Sequence, residues 1–274
     1  MPNFYPLQYY AGLIDGDGYI GMMNINKIPR PTISLGMTHE ETVKNFAEFF
    51  GVEYKKINSP SMQDNVARGN KQQWMSRSSC HKAYDIIKHI QPWLLEKADI
   101  ALKCCSYYEG RVCENCGKDI PTDRAASSTF CCKVCYKQAG NKRRSGKYNP
   151  IIQTKDIVSP VRKFNDEEEK LSYFGGLIDA EGHFSANTIT NGGTRVVFQL
   201  KMTSEDVIKE FAEFFNVPYK KLTAPSHIKD QEERGHSQAY VIHTDGSTTY
   251  RIIEKLLPFL FTKKKAAEIL LKFK

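Results

Sequence analysis

Two stretches of this chain are written almost alike, and a segment carried twice is a unit folded twice. Tyr10-Ala-Gly-Leu-Ile-Asp-Gly-Asp-Gly18 returns as Phe174-Gly-Gly-Leu-Ile-Asp-Ala-Glu-Gly182, so Asp15, Asp17 and Gly18 correspond to Asp179, Glu181 and Gly182. Asn45-Phe-Ala-Glu-Phe-Phe-Gly-Val-Glu-Tyr-Lys-Lys56 returns as Glu210-Phe-Ala-Glu-Phe-Phe-Asn-Val-Pro-Tyr-Lys-Lys221, and Gln91-Pro-Trp-Leu-Leu-Glu-Lys97 as Leu257-Pro-Phe-Leu-Phe-Thr-Lys263, at an offset of about 165 residues throughout. Two copies make a pseudo-dimer rather than a solenoid. The expected units are residues 1–107 and 166–274, separated by an insert, 108–165, with no counterpart in either.

Within a unit the local signals are consistent. Residues 8–16 read as a helix that Gly16 and Gly18 end beside Asp17. Tyr19–Asn26 reads as extended, Pro29 and Pro31 mark a turn, and 32–38 has strand character. Val43, Phe46, Ala47, Phe49 and Phe50 recur at a helical period over Glu40–Phe50, which Gly51 closes. Strands at 54–57 and 72–77, a helix at 81–90 closed by Pro92, and a last helix at 93–107 follow. The same order after residue 165 predicts an α+β chain of two pseudo-symmetric units with antiparallel sheets.

A length of 274 residues with 41% hydrophobic content supports real cores, and the formal charge of +8 favours an anionic partner, nucleic acid ahead of a membrane surface. No stretch approaches the roughly 18–20 apolar residues of a membrane span, and Met1–Tyr10 lacks the pattern of a signal peptide, so an intracellular chain with no membrane partner is expected. Five of the eight cysteines crowd between Cys113 and Cys135, a clustering that points to metal rather than disulfides in a reducing compartment. Cys80, Cys104 and Cys105 read as buried thiols.

A single motif of this kind would read as a buried helix with a capping acid. Its repetition changes the reading. Paired helices with glycine and alanine on one face can approach closely and end side by side, bringing Asp17 and Glu181 to one place. Hard cations such as Mg²⁺ (or Mn²⁺) take one or two carboxylates together with phosphate oxygens and waters, and the chemistry suggested is phosphodiester hydrolysis.

The doubled motif, the hairpin, helix, strands and helix after each copy, and the closing Pro-x-Leu-x-x-Lys element resemble the LAGLIDADG homing endonucleases in their single-chain, two-motif form. The resemblance spans roughly residues 5–107 and 166–274 and implies two αββαββα repeats whose sheets form a saddle over double-stranded DNA. It implies that Asp17 and Glu181 bind the catalytic metal with backbone carbonyls from Gly16 and Ala180, and that Asp15 and Asp179 are structural caps at the helix ends. Lys97 and Lys263 match a basic residue near the active centre, where a cation polarises the scissile phosphate or orders solvent. The family's water-ordering polar position past the second strand falls on His39 and Ser204, which differ from each other. The implied activity is a site-specific, metal-dependent double-strand cut by a monomer; the alternative on the same fold is an RNA maturase that assists splicing of intron RNA.

A sheet laid along the major groove reads bases with its outward residues. Candidates are Asn24, Asn26, Lys27, Arg30, Gln72 and Arg77 in the first copy and Thr188, Asn191, Arg195, Gln199, Lys201, Gln238 and His243 in the second. The copies differ here, which predicts an asymmetric target. In the insert, Cys113 and Cys116 form one half of a four-thiolate Zn²⁺ site. C-x₂-C spacing alone selects Cys132 with Cys135 for the other half, whereas resemblance to small zinc-ribbon modules ending Phe-Cys-Ser-x-x-Cys selects Cys131 with Cys135, the preferred set, with Cys132 in the serine's place. Lys137, Lys142, Arg143, Arg144 and Lys147 then form a basic arm that reads as a linker, and the finger is expected to extend phosphate contacts beyond the central site or to clasp the halves.

Overall fold

The structure, a computed structural model, describes residues 5–25, 28–58, 63, 66, 71–121, 124, 128–147, 164–188, 193–222 and 238–274. In the first copy α1 (Leu7–Asp17) runs directly into β1 (Gly18–Ile25) and β2 (Ile28–Met37), followed by α2 (Glu40–Phe50), β3 (Tyr54–Lys56), β4 (Trp74–Ser79), α3 (Cys80–Ile90), a 3₁₀ turn at Gln91–Trp93 and α4 (Ala98–Glu109). A helix in the insert, α5 (Lys133–Arg144), precedes the second copy: α6 (Glu167–Glu181), β5 (Gly182–Thr188), β6 (Thr194–Met202), α7 (Glu205–Phe215), β7 (Tyr219–Lys221), β8 (Tyr240–Asp245), α8 (Gly246–Leu256), a 3₁₀ turn at Leu257–Phe259 and α9 (Lys264–Leu271). Each copy is therefore an αββαββα unit, as the sequence predicts.

The two sheets are four-stranded and antiparallel, ordered β1-β2-β4-β3 and β5-β6-β8-β7. Ile33, Leu35 and Met37 alternate into the core on β2, and Val196, Phe198, Leu200 and Met202 do so on β6, so one face of each sheet is packed under helices and the other is left to solvent. The amphipathic helices α2 and α7 bury Val43, Phe46, Ala47 and Phe50, and Val207, Phe211, Ala212 and Phe215. Both end on a left-handed residue, Gly51 at φ 61° and Asn216 at φ 49°; asparagine is the side chain best able to stand in for glycine there.

The copies join along α1 and α6. Residues 8–15 of α1 and 171–179 of α6 are buried on every side, which an amphipathic surface helix never is. A Cβ on Gly12 would stand 1.9 Å from Tyr173 O, one on Gly176 would stand 1.9 Å from Tyr9 O, and one on Gly16 would stand 2.3 Å from Ala180 Cβ. The helix backbones touch, and only glycine permits it.

Four expectations are revised. Pro29 and Pro31, expected to mark a turn, lie within β2 and pair with Asn24 and Met22 of β1, in a stretch of β2 that among the described residues pairs with β1 alone, an edge that tolerates proline. The fourth strand starts at Trp74 rather than Gln72. The expected last helix of 93–107 is broken: the 3₁₀ turn ends at Trp93 and α4 begins only at Ala98, because the amides of Leu95, Glu96 and Lys97 are drawn to the Asp15 carboxylate. The basic arm expected as a linker is helical over Lys133–Arg144, started by Cys132, whose Sγ accepts from Cys135 N at 3.4 Å, and held by the buried Cys135 and Ala139.

Candidate active site and metal centre

The two acids of each motif are one residue apart from sharing a role, and the structure separates them. Asp15 is 1% exposed and fully used: Oδ2 accepts from Leu95 N (2.6 Å), Glu96 N (3.2 Å) and Tyr173 OH (2.9 Å), and Oδ1 from Lys97 N (2.9 Å). Asp179, also 1% exposed, repeats the pattern with Phe261 N (2.6 Å), Thr262 N (3.0 Å), Tyr9 OH (2.9 Å) and Lys263 N (2.8 Å). Burial raises the pKa of both, and the amide, hydroxyl and lysine partners pull it down; every contact is a donor, which only an ionised carboxylate satisfies in full. These acids are caps, as the resemblance implied, but of the helix that follows in space, α4 or α9, rather than of their own.

Tyr9 and Tyr173 reach across the junction, each bonding the aspartate of the other copy. Neither was singled out from the sequence, although both stand six residues before the buried aspartate and the alignment of the copies superimposes them.

Asp17 and Glu181, by contrast, accept no hydrogen bond from the protein among the described residues. They end α1 and α6 at the junction, open to solvent on one side and crowded by protein on the other. Desolvation raises the pKa of each; Glu181 is raised further by the Asp17 charge beside it, and Lys263 and Lys97 oppose the shift in both. The geometry places them together: a Cβ on Gly16 would stand 3.3 Å from Glu181 Cγ, so the ends of α1 and α6 set Asp17 and Glu181 side by side. A cleft of about 320 Å³ opens over Gly16 and Glu181, walled by Glu96, Lys201 and Thr203. Glu96, a third carboxylate whose pKa burial raises, lies within electrostatic reach of Glu181; its counterpart is Thr262, so the centre is asymmetric, and it was missed because only matching positions drew notice.

The lysines turn inward. Lys263 Nζ donates to the Ile178 (2.7 Å), Asp179 (2.6 Å) and Ala180 (3.1 Å) carbonyls at the end of α6, and Lys97 Nζ donates to Asp15 O. The carbonyls that a helix C-terminus leaves unpaired attract the cation. Burial lowers the Lys263 pKa, while Asp179, Asp17 and Glu181 raise it. Ala180 O is thus shared before any ion approaches. His39 and Ser204 sit one residue before α2 and α7; His39 Nδ1 contacts Thr42 Oγ1 at 2.8 Å, which in turn meets Thr262 of the other copy.

Of the base-reading candidates, Arg195, Gln199, Lys201 and His243 share the open face of the second sheet, where Gln199 is paired with His243 and Arg195 bonds Asp245. The alternation adds His183, Ser185 and Asn187 to that face, residues the sequence reading passed over. Arg77 lies opposite Ser34 on the open face of the first sheet and contacts Met23 Sδ, and Arg30 donates to Cys80 Sγ at 3.3 Å. Asn24 and Thr188 are exposed strand-end residues that fall on the other alternation, with Ile20 and Phe184. Gln72 and Gln238 are spent on backbone: their Nε2 atoms bond Ile57 O (2.9 Å) and Leu222 O (2.6 Å), closing equivalent strand ends. Asn26, Lys27 and Asn191 lie outside the described residues.

In the insert the Sγ atoms of Cys113, Cys116, Cys131 and Cys135 all lie within 4.8 Å of one another, with Cys116–Cys131 and Cys131–Cys135 at 3.6 Å. Four sulfurs at about 2.3 Å from a common centre stand about 3.8 Å apart, so the set fits a tetrahedral thiolate-bound ion. Gly117, at φ 69°, turns the chain after Cys116. Burial works to raise the Cys113 thiol, but amides of Cys131, Asn115 and Cys116 bring it down to about 6. Cys132 is the helix cap instead of a member of the cluster.

No family sequence model matches the chain, and no characterised protein matches it in sequence. Solved structures do. I-GzeII, a LAGLIDADG homing endonuclease in complex with its DNA target, matches at TM-score 0.55 and 13% identity over 98% of this chain and 89% of that one. The LAGLIDADG meganuclease I-AabMI bound to uncleaved DNA matches at TM-score 0.54 and 15% identity over 98% and 88%, and I-LtrWI bound to target DNA at 0.52 and 14% over 97% and 89%. Removing the reciprocal hydroxyls tests the junction: Tyr9→Phe and Tyr173→Phe are each expected to destabilise the chain by about 2 kcal/mol in urea unfolding, the cost of a buried hydrogen bond to a charged group, and by similar amounts because the two bonds are equivalent. With 97–98% of its length aligned on each of these structures, the chain has the fold of the LAGLIDADG homing endonucleases.

Proposed function

We propose that the chain is a site-specific homing endonuclease that makes a metal-dependent double-strand cut in an asymmetric DNA target by phosphodiester hydrolysis, acting as a monomer. The observation that carries this reading is the division between the acids: Asp15 and Asp179 are saturated by protein donors, while Asp17 and Glu181 meet at the junction with no donor to either among the described residues. Two free carboxylates with adjacent helix-end carbonyls are the donor set a hard divalent cation takes, and Asp17, Glu181, Gly16 and Ala180 would hold Mg²⁺ or Mn²⁺. When bound, the ion neutralises phosphate charge and makes a coordinated water more acidic.

The chain's own groups supply the rest. Lys97 and Lys263 oppose the desolvation that raises the pKa of Asp17 and Glu181, and they add positive potential at the junction, where the scissile phosphate would lie. Glu96 and Lys201 give that space unlike walls, and the two open sheet faces carry different side chains, which suits a target without palindromic symmetry. The three similar structures above are bound to DNA, which supports duplex DNA as the substrate. We assign the four-cysteine cluster to structural Zn²⁺ held by Cys113, Cys116, Cys131 and Cys135.

Cleavage of a randomised duplex library in Mg²⁺, read by sequencing the ends, is expected to recover one asymmetric site. Asp17→Asn and Glu181→Gln are each expected to lower the rate by on the order of a hundredfold or more, the scale of one lost electrostatic contact at a reacting centre. A chain that cuts nothing yet binds intron RNA tightly would replace the nuclease reading with the maturase one. For the insert, the purified chain is expected to carry one zinc per molecule, lost in Cys131→Ser and kept in Cys132→Ser, as measured by elemental analysis.

A further inference from the structure

The charge of this chain is concentrated in its insert. Residues 111–147 hold nine Lys and Arg against three acids, most of the formal +8 of the whole sequence. Helix α5 sorts these cations by face. At 3.6 residues per turn, Cys135, Ala139 and Lys142 point to one side, and Lys133, Lys137, Gly140 and Arg144 fall in a stripe roughly 60° wide on the opposite side.

The inward side is accounted for. Cys135 is in the thiolate cluster, Lys142 Nζ donates to Asn115 Oδ1 at 2.9 Å, and Arg143, on the flank, pairs with Glu114 at 3.4 Å. These contacts fix the helix on the cysteine knuckle, and Arg111, over the Tyr108 ring at 4.8 Å, ties the knuckle to the end of α4. The outward stripe is not accounted for. Lys133, Lys137 and Arg144 are exposed, and among the described residues none pairs with an acid and Arg144 bonds only the neutral Gly140 O and Asn141 Oδ1.

Gly140 is the second observation. It lies inside a helix, where glycine is a poor choice, and a Cβ there would meet nothing within 4 Å. Neither backbone conformation nor internal packing asks for glycine at this position, in contrast to Gly12 and Gly176. What does call for a bare backbone in the middle of a cationic stripe is a partner that comes close to it.

We propose that the outward face of α5 is a second DNA contact, lying along the phosphate backbone of the duplex beyond the central site, with Gly140 at the closest approach. This rests on the reading that the substrate is duplex DNA. From Lys133 to Arg144 the stripe runs about 17 Å, and a duplex presents a charge about every 1.7 Å of its axis, so all three cations can be neutralised at once. Single strands are instead held on rows of aromatic platforms, whereas Phe130 and Tyr136 here pack edge-to-face on each other with Arg143 over Phe130.

The test uses the full-length, zinc-loaded chain and a mixed-sequence duplex, with affinity measured by fluorescence anisotropy as a function of salt. The K133A/K137A/R144A variant is expected to flatten the plot of log K against log salt by about 2.7, since each phosphate contact contributes about 0.9. A control that removes Lys82, Lys209 and Lys255 from helices behind the sheets is expected to change it by less than about 1. Gly140→Leu, with its zinc content unchanged, is expected to weaken binding about tenfold, an effect that a merely structural helix would not show. An unaltered slope in the triple variant, parent-like binding by Gly140→Leu, or a loss confined to single-stranded RNA would each overturn the proposal. None of these readouts involves cleavage: a chain that binds in this way but cuts nothing refutes the endonuclease reading alone, and one that cuts with an unaltered slope refutes the α5 contact alone.

Discussion

The carbonyl oxygens of Tyr9 and Tyr173 occupy the places where side chains on Gly176 and Gly12 would have to go. That backbone-to-backbone approach of α1 and α6 is the constraint on which the rest depends. It brings two carbonyl-rich helix C-termini together, and with them two lysines and four acids, in a space that would otherwise be divided between independent halves. It also lets each tyrosine hydroxyl reach the opposite aspartate, so the junction is closed by bonds that neither repeat could make alone.

From this follows the different fate of two acids separated by one residue. Asp15 and Asp179 face inward and gather the amides just before α4 and α9, fixing the starts of those helices and with them Lys97 and Lys263. Asp17 and Glu181, the last residues of α1 and α6, are exposed at the junction and meet no protein donor among the described residues. A buried carboxylate left without donors would be costly, and an exposed one saturated by amides would have no capacity for a cation. The motif meets both demands in three residues.

Much of this was legible in the letters because it is written twice. The repeat exposed the units, the small-residue helices and the paired acids, and α2 was read to its boundaries because its apolar period and Gly51 are local signals. What escaped was set by distant partners. The break before α4 is imposed by Asp15, some eighty residues away, and no local propensity records it. Helix α5 looked like a linker because its residues are polar; it is held by the cysteine cluster and by Cys132 as its cap. Gln72 and Gln238 had the right chemistry for bases but serve equivalent strand ends, and Asn24 and Thr188 had the right type on the wrong alternation, which no composition can reveal without the register. Glu96 was invisible to a comparison that looked for sameness, since it is where the copies differ.

The central claim is that Asp17 and Glu181 form one composite site rather than two half-sites. The most direct measurement is strand-resolved cleavage of the recovered duplex target by the parent and by Asp17→Asn, with each strand labelled separately. A composite site predicts that the single substitution slows the cutting of both strands. Loss of one strand's cleavage with the other cut at the parent rate would mean that each acid serves its own strand, and would contradict the account.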